Sequence, residues 1–190
     1  MADADRISWL RVPGDDEVPP EVAELWKLPL ERLGVVPNVL RTYALRPRQL
    51  LGWNAHYDDL MRGESGLSKA QREMIAVVVS ATNRCHYCLI SHSAALRKLT
   101  EDPVLVDQLV TNWRYAALAP ADRAMLAYAV KLTEESSKCT EDDITALRDA
   151  GWSEEDVFDI AATAAMFNMT NRLASGMGWR PNPEYYSLGR

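Results

Sequence analysis

A chain of 190 residues with 47% hydrophobic and 25% charged side chains can bury one core without staples, and a net charge of −6 argues against a nucleic-acid partner, which needs a basic face. Three cysteines are too few for a secreted disulfide scaffold, the acidic N-terminus lacks a signal-like apolar segment, and no apolar run approaches the roughly 20 residues of a membrane span. The expected location is the cytoplasm, away from membranes, where a cysteine pair is expected to be catalytic or metal-binding.

Residues 1–20 read as an extended arm punctuated by Pro13-Gly14 and Pro19-Pro20, with Trp9 and Leu10 available to tuck against the body or a neighbouring subunit. Residues 21–180 read as a single all-helical domain and residues 181–190 as a C-terminal tail. Pro20 suits a first helical position, followed by the apolar stripe Val22, Leu25 and Trp26, with Pro29 and Gly34 expected to limit or kink that helix. Pro37-Asn38 opens a short helix through Tyr43, and Pro47 a third that carries Leu50, Leu51, Trp53, His56 and Tyr57.

Ser68-x-x-Gln71 is a capping box, which sets Glu73 early in a helix running through Ala76–Ser80. Thr82-Asn83-Arg84 breaks the periodicity, and Asn83 is the expected cap of a new helix from near Cys85 to about Lys98. Asp102-Pro103 and Pro120 start two more. The second carries Met125, Leu126, Ala129, Val130 and Leu132 on most of its circumference, which predicts a central position. Thr140-x-x-Asp143 and Ser153-x-x-Asp156 cap the last two helices, the final one ending near Gly176. Gly66-Leu-Ser68 and Gly151-Trp-Ser153 precede similar Ala-rich turns, a weak internal helical repeat. The predicted fold is all-α.

The chemistry concentrates in Glu73 and in Cys85-x-x-Cys88-x₃-His92. On a helix, positions i, i+3 and i+7 share one face, so both thiols and the imidazole point the same way. A thiol with a pKa of about 8.5 is only roughly 3% thiolate at pH 7, and only the thiolate attacks. A helix start near Cys85 and a base one turn beyond Cys88 would both raise that fraction. A second thiol one turn away can trap a sulfenic acid as a disulfide before over-oxidation. The same four residues are also acceptable zinc ligands, and spacing alone leaves a zinc-binding structural or regulatory module open.

The pattern Glu73-x₁₁-Cys85-His-Tyr-Cys88-x₃-His92, together with Gly34-Val-Val-Pro-Asn38 and Phe167-Asn-Met-Thr-Asn171-Arg172, resembles the alkylhydroperoxidase D-like branch of the carboxymuconolactone decarboxylase superfamily, in its longer "peroxidase-related" subgroup. That resemblance covers nearly the whole chain after about residue 20. It implies an alkylhydroperoxidase D-like helical bundle, a thiol peroxidase or disulfide oxidoreductase without a cofactor, and association as a dimer to hexamer. It also implies a peroxidatic Cys88, a resolving Cys85, and Glu73 and His92 as the proton relay. The substrates would be an organic hydroperoxide or other small oxidant and a dithiol reductant, either a lipoyl-bearing or a thioredoxin-like protein. Tyr87 stands where better-studied members carry a histidine. Lyase chemistry of the decarboxylase kind, using Glu73 and His92 with idle thiols, is a third reading; the decarboxylases lack the cysteine pair.

The remaining conspicuous residues read as structural. Cys139 is an idle thiol, His56 a partly buried helix residue, and His86 an exposed side chain in the cysteine turn. The six tryptophans read as core and subunit contacts, and Asn171 and Arg172 as ties between helix ends or a subunit contact.

Overall fold

The computed structural model describes residues 6–190. They form α1 (Pro20–Leu33), α2 (Asn38–Tyr43), α3 (Pro47–Arg62), α4 (Lys69–Thr82), α5 (His86–Thr100), α6 (Pro103–Asn112), α7 (Pro120–Glu135), α8 (Glu141–Asp149) and α9 (Glu154–Gly176), with short 3-10 turns at Trp113–Tyr115, Ser136–Lys138 and Pro183–Tyr186. No strand occurs among the described residues, so the fold is all-α as expected. No helix among them is long and apolar enough to cross a membrane.

The helix starts follow the capping chemistry. The Ser68 amide donates to Gln71 Oε1 at 2.8 Å and the Gln71 amide to Ser68 Oγ at 3.2 Å; Ser153 and Asp156 reciprocate in the same way at the head of α9. Pro29 does not end α1. The helix runs on to Gly34, whose left-handed backbone lets its amide close on the Leu30 carbonyl, and buried Val22 and Trp26 anchor the helix on the body.

The centre of the molecule is α4 rather than α7. Every residue from Arg72 to Ser80 is buried, and a helix apolar on all sides must be enclosed on all sides. In contrast, α7 buries Met125, Leu126, Ala129 and Val130 but turns Arg123, Ala127 and Glu134 to solvent. Helices α5, α6, α7 and α9 pack around α4. A second apolar cluster, including Val22, Trp26, Leu40, Leu50 and Trp53, joins α1–α3 to Met166 of α9. A third, smaller cluster holds Cys85, Tyr87, Cys88, Ala174 and Trp179.

Asn83 is the C-cap of α4 and not the cap of α5. Arg84 follows in the left-handed conformation, φ 53°, which turns the chain so that the Cys85 amide reaches the Ser80 carbonyl at 2.9 Å. Cys85 thereby becomes the N-cap of α5.

Both ends of the described chain return to α5 and α9. The Trp9 amide donates to the Met177 carbonyl at 2.9 Å and the Arg180 amide to the Ile7 carbonyl at 3.0 Å, laying the arm along residues 177–180. Arg97 of α5, itself buried, donates through Nε to the Leu188 carbonyl and through Nη2 to the Tyr185 carbonyl, which pins residues 185–188. The arm's closest approach is at Gly178, where φ is +63° and a Cβ would stand 2.3 Å from the Trp9 indole. Gly178→Ala is expected to cost about 1–2 kcal/mol for the left-handed backbone alone and to swing Trp9 away. Chemical denaturation and quencher access to the indole check this; an unchanged Trp9 environment would contradict it.

Candidate active site

Three helices supply the site. α4 contributes Glu73, α5 contributes Cys85, Cys88 and His92, and α9 closes it with Phe167 and Asn171. The structure brings Glu73 and His92 together: His92 Nδ1 lies 2.7 Å from Glu73 Oε2, with both side chains about nine-tenths enclosed (12% and 11% exposed). Phe167 presents its ring edge-on to the imidazole, centroids 4.6 Å apart, so the ring plane is held by packing as well as by the carboxylate. The Tyr57 ring lies 6.4 Å away, and burial, with Glu73 adding to it, pushes its phenol far above the ordinary value. Tyr57 stays neutral and acts as a wall.

Cys85 and Cys88 are both buried and both free thiols. They titrate as one unit. A hydrogen bond from the Cys88 thiol is the main cause that brings Cys85 down to about 6, with smaller contributions from the Cys88 amide, the Ser175 hydroxyl and the nearby His92, against the opposing effect of burial. Donating that bond, together with burial, holds Cys88 well above the ordinary thiol value, and Asn171 pulls it back only in part. The resting pair therefore carries its negative charge on Cys85.

Above Cys85 a cavity of about 270 Å³ opens to solvent, lined among others by Trp9, Arg84, Cys85, His86, Trp179 and Arg180. Cys88 is not part of this lining. His86 is exposed, as expected, and contacts the Tyr186 hydroxyl at 2.7 Å. His56 is exposed on α3 rather than partly buried. Cys139 is a half-buried free thiol at the end of the Ser136–Lys138 turn, before α8.

Tyr87 has a definite job. Its ring is buried edge-on against Trp179 and its hydroxyl accepts the Val39 amide at 2.9 Å, tying the start of α5 to α2. Charge neutrality there is enforced by burial, which raises the phenol well above its ordinary value.

The sequence reading missed a buried polar seam beneath the thiols. Asn83 Nδ2 donates to Asn168 Oδ1 and to Asn171 Oδ1, each at 3.0 Å, and Asn171 Nδ2 donates to Ser80 Oγ at 3.0 Å. Asn171 thus ties α9 to the end of α4, as expected, and is also a buried amide facing Cys88, 1% exposed. The signal was available: Ser80 and Asn171 interrupt otherwise apolar helical faces, and buried polar groups need partners. Among the described residues no group of three or more His, Cys, Asp or Glu is gathered so as to hold a metal ion.

Residues 47–131 match the carboxymuconolactone decarboxylase family. An uncharacterized peroxidase-related protein from Silicibacter sp. TM1040 is 45% identical over the whole of both chains, with a TM-score of 0.95. The alkylhydroperoxidase core of an uncharacterized peroxidase-related protein from Ralstonia eutropha JMP134 is 39% identical over 97% of each chain, TM-score 0.94. The debrominase Bmp8 shares the fold at 18% identity, covering 97% of this chain and 96% of its own, TM-score 0.77.

Because the thiolate is the reactive form, alkylation of Cys85 by iodoacetamide is expected to rise as pH passes up through about 6. Cys88→Ala removes the donating thiol and is expected to move that inflection upward. Residue-resolved mass spectrometry measures both; an inflection that Cys88→Ala leaves in place would show that the thiols do not share a proton.

Proposed function

The chain belongs to the carboxymuconolactone decarboxylase superfamily, in its alkylhydroperoxidase D-like, peroxidase-related branch, and on that premise we propose that it is a thiol peroxidase in which Cys85 and Cys88 cycle between dithiol and disulfide. The observation that carries this reading is the pair itself: two thiols sharing a proton, one facing a solvent-open cavity, with a carboxylate-anchored imidazole on the same helix.

The family resemblance assigns attack to Cys88. Access and charge favour Cys85, and we place the first step there. The Cys85 thiolate attacks the distal oxygen of a hydroperoxide; an S–O bond forms, the O–O bond breaks, and the departing alkoxide takes a proton relayed from His92 through water to leave as the alcohol. Nδ1–H of His92 donates to Glu73, which leaves Nε2 as the nitrogen that carries the proton. Cys88 sulfur then attacks the sulfenic sulfur; an S–S bond forms, and hydroxide leaves with the Cys88 proton as water. One hydroperoxide and two thiols yield one alcohol, one water and one disulfide. An external dithiol, lipoyl-bearing or thioredoxin-like, returns two electrons and two protons by exchange.

Single-cysteine variants test both the activity and the order. Cys88→Ser is expected to form a sulfenic acid at Cys85 with one equivalent of peroxide and then stall, whereas Cys85→Ser should react little; the reverse pattern would restore the Cys88-first order. Two inert variants beside an inert wild type would remove the peroxidase reading. His92→Gln is expected to lower kcat/KM by roughly 100-fold, the contribution of a positioned proton carrier, measured as peroxide consumption with a dithiol in excess.

A further inference from the structure

The cavity over Cys85 has a composition that the thiol chemistry does not call for. Arg84 and His86 line it together with Arg180, which is itself engaged, and among the described residues no carboxylate lines it, on a protein whose net charge is −6. The indoles of Trp9 and Trp179 are among its other walls. Arg84 is the informative member. It is exposed, its guanidinium has no hydrogen-bond or ion-pair partner among the described residues, and its backbone sits at φ 53°. A non-glycine residue there costs about 1–2 kcal/mol, and the fold needs only the turn, which glycine would supply more cheaply. An arginine kept in a strained turn immediately before Cys85, with no partner among the described residues, points to a ligand.

We propose that this cavity selects a small organic hydroperoxide that bears a carboxylate, with Arg84 holding the carboxylate and Trp9 and Trp179 flanking the apolar body above Cys85. The inference rests on the peroxidase reading for the identity of the reacting group, but not for the preference in charge. At about 270 Å³ the space lies near the lower limit of small-molecule sites, which excludes a bulky lipid chain and suits a single ring or short chain. A planar, five-donor guanidinium recognises a carboxylate better than an ammonium would, so the residue type fits the ligand. A cation that holds the carboxylate end acts on binding, so its effect belongs in KM.

A pair of alkylating reagents of nearly equal size, iodoacetate and iodoacetamide, reads the charge preference at Cys85 without any peroxide. The ratio of the two rates at Cys85, followed by residue-resolved mass spectrometry, is expected to fall roughly fivefold in Arg84→Gly, a loss equivalent to one partly solvated charge pair. Arg84→Lys should recover much of it, the ratio in the wild type should fall with added salt, and the ratio at Cys139, remote in sequence and outside the cavity lining, should not move. Glycine suits the left-handed turn, so the variant keeps its fold. An Arg84→Gly ratio equal to wild type, or a Cys85 that neither reagent reaches, would overturn the proposal. Turnover then identifies the substrate: cumene hydroperoxide and its para-carboxylate should differ in KM in favour of the carboxylate. Absence of turnover with either would remove the peroxidase reading while the alkylation ratio still decides the anion preference.

Discussion

A carboxylate in the most enclosed helix of the protein must find a positive or donating partner. Glu73 sits in a run of nine buried residues, next to Met74, Ile75, Ala76 and Val77, and an unpartnered charge there would cost several kcal/mol. His92 is the group that meets it, at 2.7 Å. That contact lies within the extensive packing of α5 on α4, which sets the direction in which Cys85 and Cys88 face. The edge-on Phe167 then locks α9 to the same imidazole. Fold and site are therefore held by the same atoms, and a change that loosens one loosens the other.

The thiols depend on a second arrangement of the same kind. Their shared proton rests on Cys88 because its thiol donates to Cys85 and burial opposes a charge there, while the Cys88 amide, Ser175 and His92 favour the anion on Cys85 and Asn171 pulls only in part the other way. Asn171 is itself oriented by Asn83 and Ser80, so an amide chain from α4 to α9 sets the polarity of the deep side. Low dielectric makes such a chain rigid once every member is satisfied. Tyr87 performs the matching task at the surface end of α5 by holding Val39, which explains how the turn tolerates a neutral aromatic at that place.

Much of this was legible in the sequence. Local signals marked the helices, because a Ser with Gln or Asp three residues on reports its own hydrogen bonds, and the i, i+3, i+7 spacing placed the thiols and His92 on one face whatever surrounds them. Pairings between helices were less legible. Asn83 read as a cap because caps are local, yet its partners lie on α9, more than eighty residues away in sequence. α7 read as central because its apolar count is high, but α4, with no break in burial, took the centre and left α7 one solvent face. The arm's docking along residues 177–180 rests mainly on backbone hydrogen bonds, which leave little trace in residue type beyond the Ser8 hydroxyl that donates to the Met177 carbonyl and the Trp9–Gly178 contact.

The order in which the site is completed follows from where its parts lie along the chain. Cys88 is made early, whereas the wall that shelters the pair, Trp179, arrives 91 residues later. At the usual ~5–20 residues per second of synthesis, the dithiol waits roughly 5–20 seconds before its cover exists. During that interval neither the enclosing aromatic wall nor the α9 amide is in place, so the helix that carries both thiols is complete before the surfaces that bury them.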